Sequence, residues 1–148
     1  MAMHDIMRCF RRNYLSMSGM EIRQSDIYGD AGRLPYNSVL YLDIIAMNPG
    51  CTITKMSEML GVTKATVTMT VNRLVDKGMV VRERTPEDGR VKKLFLSERM
   101  REAYDRTDGI ISELADTLSD MHTPEEVDLF CRMMDEASEL MDSWKRED

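Results

Sequence analysis

Cysteine is scarce in this chain: Cys9, Cys51 and Cys131 are the only three among 148 residues, odd in number and far apart. That pattern excludes a disulfide framework and a paired-thiolate metal site, and reduced thiols are expected. With only His4 and His122 beside them, a zinc cluster of His, Cys and carboxylate ligands is a poor reading. Glycine (8) and proline (4) are also sparse, which excludes a disordered or fibrous class. No apolar run approaches the ~18 residues of a membrane span. The N-terminus, with Asp5, Arg8, Arg11 and Arg12, lacks the apolar stretch of a signal peptide. A cytoplasmic protein without membrane contact is expected. There is no Gly-rich phosphate loop, and no nucleophile, base and orienting group recur at a telling spacing, so neither an enzyme nor a cofactor is expected.

What the chain does have is charge, unevenly spread. Overall, 20 Lys and Arg face 26 Asp and Glu, a net of -6 that speaks against nucleic acid. Residues 1 to 62 are neutral, with 6 charges of each sign. Residues 63 to 96 carry 8 basic and 4 acidic groups, and residues 97 to 148 carry 6 basic and 16 acidic groups. The positive charge is therefore concentrated in one short central segment. The C-terminal third is strongly acidic.

Met3, Ile6, Met7, Phe10, Tyr14 and Met17 recur at steps of three and four, the mark of an amphipathic helix that ends before Gly29. After a loop from Gly29 to Arg33, Pro35 suits a first helical position. Val39, Leu40, Leu42, Ile44, Ile45 and Met47 then make a helix apolar nearly all round, which should be buried and end near Asn48-Pro49-Gly50. Asp43 within it is expensive to bury unpaired, so it should meet an Arg or face solvent. A short helix from Thr54 to Leu60 should stop at a left-handed Gly61. Thr63 should cap a further helix, Lys64 to Lys77, which Gly78 terminates in the same way. Two helices joined by about three residues around a Gly are a helix-turn-helix candidate. Two β-type runs follow, Met79 to Arg84 and Val91 to Leu96, and the Asp88-Gly89 between them is a hairpin signal. A ribbon directly after a helix-turn-helix is the arrangement of a winged helix.

The remainder reads as two long helices. The first starts at a Ser97 cap and should bury Met100, Ala103 or Tyr104, Ile111, Leu114 and Leu118. The second opens with Thr123-Pro124-Glu125-Glu126, a capping box with Pro at the first position. Its apolar residues Val127, Phe130, Met134, Ala137, Met141 and Trp144 form a narrow seam suited to packing along another helix.

On the Lys64 helix, Val67, Val71, Leu74 and Val75 form one side. Ala65, Thr66, Met69, Asn72, Arg73 and Asp76 form the other, with Lys64 and Thr68 at its margins. Small and hydrogen-bonding side chains suit an element that enters the major groove. Met69 either touches thymine methyl groups or is merely a tolerated exposed residue. Arg90 follows the turn and should project from its tip into a narrow minor groove, oriented by Asp88. Arg82, Arg84, Lys92 and Lys93 can reach the DNA backbone.

The run Thr52 to Thr63, the run Thr66 to Gly78 and the wing Pro86-Glu87-Asp88-Gly89-Arg90 resemble, in order and spacing, the MarR family of bacterial winged-helix transcription regulators. The resemblance implies a mainly α fold with a small β-hairpin wing. Its parts would be an N-terminal dimerisation helix and loop (1–33), a winged helix-turn-helix (34–96) and C-terminal dimerisation helices (97–148). It implies a homodimer on pseudo-palindromic double-stranded DNA. The DNA contacts would be Thr63, Lys64, Ala65, Thr66, Thr68, Met69, Asn72, Arg73, Arg82 and Arg84, with the family's wing Asp-x-Arg pattern falling on Asp88 and Arg90. Met69 stands where many members carry Arg, so no operator sequence can be borrowed. Met100 stands where many carry Gly.

Family members often release DNA when a small amphipathic or phenolic ligand binds. Tyr14, Tyr28, Tyr36, Tyr41 and some of the 15 methionines are the candidate lining here, although methionine serves equally as a core gap-filler. Some relatives sense oxidants through an N-terminal cysteine. Cys9, with Arg8, Arg11 and Arg12 nearby, offers that alternative. The leading expectation is a DNA-binding repressor released by a small ligand. The alternative from a different class is a protein-interaction module that uses its acidic C-terminal region.

Overall fold

The computed structural model describes residues 2–23, 35–84 and 92–144, with side chains for all of these except 2, 3, 21–23 and 36. Eight elements follow one another: α1 (Ala2–Arg23), α2 (Tyr36–Met47), α3 (Ile53–Leu60), α4 (Lys64–Asp76), β1 (Val80–Arg84), β2 (Lys92–Leu96), α5 (Glu98–Met121) and α6 (Pro124–Ser143). They fall into two units, Met1–Arg106 and Thr107–Asp148, with the boundary inside α5. No described helix is long and apolar enough to cross a membrane.

The core of the first unit is drawn from every element between α2 and the start of α5. Tyr41, Leu42, Ile44 and Ile45 of α2 meet Met56 of α3, Val67, Val71 and Leu74 of α4, Leu94 and Leu96 of β2, and Met100 of α5. Helix α4 is rich in β-branched residues, which have low intrinsic helix propensity. Burial of its Val67, Val71 and Leu74, worth about 1.5–3 kcal/mol each, holds it in place. Both ends are also tied. The Thr63 hydroxyl accepts from the Thr66 N–H at 3.2 Å. At the other end the Gly78 N–H returns to the Val75 carbonyl at 2.8 Å and the Met79 N–H to the Leu74 carbonyl at 2.9 Å. This is a Schellman closure, and it needs the left-handed φ of 67° that Gly78 adopts. Gly61, at φ 63°, turns the chain between α3 and α4 in the same way.

Strands β1 and β2 pair antiparallel, with Val80 opposite Leu96, Arg82 opposite Leu94 and Arg84 opposite Lys92. A bridge between Cys51 and Leu94 adds a third short segment to this ribbon. Single residues have no periodicity, which is why the sequence pattern does not reveal it.

Three expectations need correction. Pro35 is not the first helical residue but the N-cap, with ψ at 142°; its carbonyl accepts from the Ser38 N–H at 2.7 Å, so α2 begins one residue later. Asp43 is half-buried, and a hydroxyl stands where an Arg was expected: Tyr104 donates to its Oδ1 at 2.5 Å. Of the apolar set on α5, Met100 and Ala103 are buried, but Ile111 (40%), Leu114 (53%) and Leu118 (39%) are exposed. The periodicity marks a face that the single chain leaves uncovered. The capping box of α6 forms as read, the Thr123 N–H donating to Glu126 Oε2 at 3.0 Å and the Glu126 N–H to the Thr123 hydroxyl at 3.3 Å.

Candidate nucleic-acid interface

Because α4 commits Val67, Val71 and Leu74 to the core, the rest of its circumference is presented outward. Lys64, Ala65, Thr66, Thr68, Met69, Asn72, Arg73 and Asp76 are all exposed, Met69 by 51%. Thr63 and Thr66 are less free than their exposure suggests. Their hydroxyls lie 2.9 Å apart and share a hydrogen bond at the start of the helix. That end also carries the positive pole of the helix dipole, which favours an anion such as phosphate.

The ribbon has two unlike faces, because residues directly opposite in an antiparallel ladder point to the same side. One face carries buried Val80, Leu94 and Leu96, so Arg82, Arg84 and Lys92 emerge on the side that packs on the core. Half-buried Arg82 thereby reaches α4, where its Nη2 donates to Asn72 Oδ1 at 2.5 Å. Arg84 and Lys92 stand opposite each other, two like charges whose proximity is destabilising unless an anion relieves it. On the other face Glu83 stands opposite Lys93, so charge there is balanced. The cations left to attract a polyanion are therefore on the α4 side of the ribbon.

Thr63, Lys64, Ala65, Thr66, Thr68, Met69, Asn72, Arg73, Arg82 and Arg84 thus lie on α4, its cap and the adjoining strand. Asp88 and Arg90 fall outside the described residues. The Asn72–Arg82 bond was not anticipated from the sequence. Its signal was the alternation Val80, Arg82, Arg84, which puts both arginines on the apolar face of the strand.

The four tyrosines are distributed differently. Tyr41 is 5% exposed within the core and Tyr14 is 62% exposed on α1, while Tyr36 opens α2 without a described side chain and Tyr28 falls outside the described residues. A concavity along α1 is lined by His4, Asp5, Met7, Arg8, Arg11, Arg12, Leu15 and Ser16, and by none of these tyrosines. Cys9 and Cys131 are exposed thiols, whereas burial pushes the Cys51 thiol upward and keeps it protonated. Among the described residues no group of three or more His, Cys, Asp or Glu is placed to hold a metal ion.

Residues 34–91 match the model of the MarR family. The fold is that of solved relatives. FabT of Streptococcus pneumoniae, solved in complex with DNA, is 20% identical, with 93% of this chain and 99% of that chain covered at a TM-score of 0.66. A MarR-like transcriptional regulator of Thermotoga maritima is 18% identical, covering 90% and 96% at a TM-score of 0.63. Staphylococcus aureus MarR, in complex with salicylate and kanamycin, is 17% identical, covering 92% of each chain at a TM-score of 0.57.

Proposed function

We propose, from the match of residues 34–91 to the MarR family model, that the chain is a dimeric, sequence-specific DNA-binding repressor of that family, acting in the cytoplasm and released by a small amphipathic or phenolic ligand. The observation that carries this reading is the outward face of α4, small and polar, beside a ribbon whose like-charged Arg84 and Lys92 face the same side. Such a face suits the major groove, and the cations suit the phosphates that flank it. FabT, a structural relative solved in complex with DNA, supports DNA as the partner. The minor groove is assigned to Arg90, with Asp88 as the residue that would orient it, on the resemblance of the run 86–90 to the family's wing.

Dimerisation is assigned to residues 1–33 and 97–148. Its support is the apolar side chains that the single chain leaves exposed, among them Phe10 on α1, Leu114 on α5, and Phe130 and Met141 on α6. Such faces are expensive to leave in water and suit a second copy. The assignment of an effector rests on the relative that holds salicylate. Tyr14, Tyr28, Tyr36 and Tyr41 are its candidate contacts.

The test is binding to the DNA upstream of its own gene. Affinity is expected to fall steeply with salt, by about 0.9 log unit per log unit of salt for each phosphate neutralised. Arg90→Ala is expected to weaken that binding while the protein stays folded. Salt-insensitive binding, or none, overturns the DNA reading; an unchanged Arg90→Ala affinity removes the wing from it.

A further inference from the structure

The hydrogen bond between Arg82 and Asn72 restricts what this surface can read. A guanidinium has only donors, so the amide of Asn72 is oriented without ambiguity: Oδ1 faces Arg82 and Nδ2 is turned away from it. Asparagine ordinarily reads adenine by accepting from N6–H through Oδ1 while donating to N7 through Nδ2. Here the oxygen is already engaged by a charged donor at 2.5 Å. An adenine amino group approaching its second lone pair would lie beside the guanidinium, donor against donor. What remains outward is the Nδ2 amide hydrogens and the guanidinium hydrogens not spent on Oδ1.

This arrangement is fixed by the fold. Arg82 sits in the ladder opposite fully buried Leu94, so its aliphatic stem starts on the core side and its head emerges against α4. Asn72 is held next to Val71 and Leu74, both fully buried, on a helix tied at both ends. Both backbone positions are anchored beside buried neighbours, so the pair separates only by rotation of its side chains.

We propose that Asn72 and Arg82 act as one donor-only reading unit, whose partner on DNA is an acceptor-only group, the O6/N7 edge of a guanine or a phosphate oxygen, and which, where it meets a base, excludes adenine. The inference rests on the DNA-binding reading above and specifies the chemistry of one contact within it.

The experiment is selection of duplexes from a random pool by the full-length protein, by Asn72→Ala, by Arg82→Met and by the double variant, followed by affinity measurements on the selected site across a salt series. Asn72 is exposed and Ala is a good helix former, so that variant keeps its fold. Methionine replaces the buried stem of Arg82 with an apolar chain, and circular dichroism checks the outcome. If the partner is guanine, the wild type prefers G at one position per half-site by about 5- to 150-fold. Each single variant then loses that preference, and the double variant loses no more than either single. Arg82→Met, which frees Oδ1, is expected to admit adenine there. If the partner is a phosphate, each variant weakens all sequences alike, and Arg82→Met, which removes the cation, lowers the salt slope by about 1.

An adenine preference in the wild type that disappears in Asn72→Ala overturns the proposal. So do independent, additive losses in the two variants, or no loss in either. Failure of the wild type to select any duplex is a distinct result: it overturns the DNA-binding reading itself, and the proposed unit with it.

Discussion

Asp43 shows how one residue can be costly and still tolerated. Burial raises its carboxyl above the usual carboxylate range, and the Tyr104 hydroxyl, donating to Oδ1, offsets part of that rise. A carboxyl with a raised value in the folded protein binds its proton more tightly there than in the unfolded chain. Its contribution to stability is therefore fully present below the ordinary value of 3.8 and is lost as pH rises through the folded value. Asp43→Asn keeps an oxygen for Tyr104 and removes the half-buried charge. Its stability relative to the wild type is expected to improve from pH 4 to pH 7, as read by urea denaturation at each pH. Tyr104→Phe removes the donor and leaves the carboxylate unsatisfied on that side, a loss of roughly 1–3 kcal/mol at pH 7. A pH-independent difference between Asp43→Asn and the wild type would show that the carboxyl is not perturbed. The sequence made Asp43 conspicuous by setting it among apolar neighbours. Its partner lies 61 positions away, and local pattern carries no information on such a pairing.

At the scale of elements, the ends of helices are where sequence and structure agree best, because a cap is a local event. Thr63, Gly61, Gly78 and the Thr123–Glu126 box all do what their residue types require. Gly78 offers a clean measurement. A methyl group added there meets nothing within 4 Å, so the whole cost of Gly78→Ala is the left-handed backbone at φ 67°. The expected loss is about 1–2 kcal/mol of unfolding free energy, with the DNA affinity of the folded protein unchanged. A loss near zero would mean that α4 ends without that conformation. Periodicity served equally well for α4, where each apolar position read from the sequence is buried or half-buried. It failed on α5 for a physical reason. Period 3.6 identifies an apolar face but not what covers it, and Ile111, Leu114, Leu118, Phe130 and Met134 are uncovered in one chain. On α6 the exposed face is also wider than the seam read from the sequence, since Leu129, Met133 and Leu140 join it at 45%, 54% and 60% exposure. The outward face of α4 was legible where helical geometry alone decides exposure, as for Met69 and Arg73. Arg82 was placed with the backbone contacts, because its tie to Asn72 depends on how a strand sits against a helix.

For the molecule as a whole, the charge layout and the apolar faces point to the same assembly. The segment 63–96 has 8 basic against 4 acidic groups, while 97–148 has 6 against 16, so a basic segment and an acidic remainder are built into one chain. A net negative protein is drawn to DNA only in the correct orientation, which limits non-specific adhesion. On the proposed function, one α4 helix and one ribbon would cover a single half-site. A two-fold dimer joined through the broad apolar face of α6 would place two readers on one duplex and double the phosphates neutralised. Burying Phe130, Met134, Leu140 and Met141 in such a contact is worth about 1.5–3 kcal/mol for each side chain. Phe130→Glu combined with Met134→Glu puts two carboxylates on that face of each copy without touching the first unit's core. In sedimentation the double variant is expected to run as a monomer where the wild type runs as a dimer. Its DNA affinity is expected to fall, and its slope of log affinity against log salt to drop to about half, because each bound unit now neutralises half as many phosphates. A variant that stays dimeric shows that α6 is not the joining surface. A monomer that keeps the full slope shows that one chain already makes every phosphate contact, and that the second copy serves another purpose.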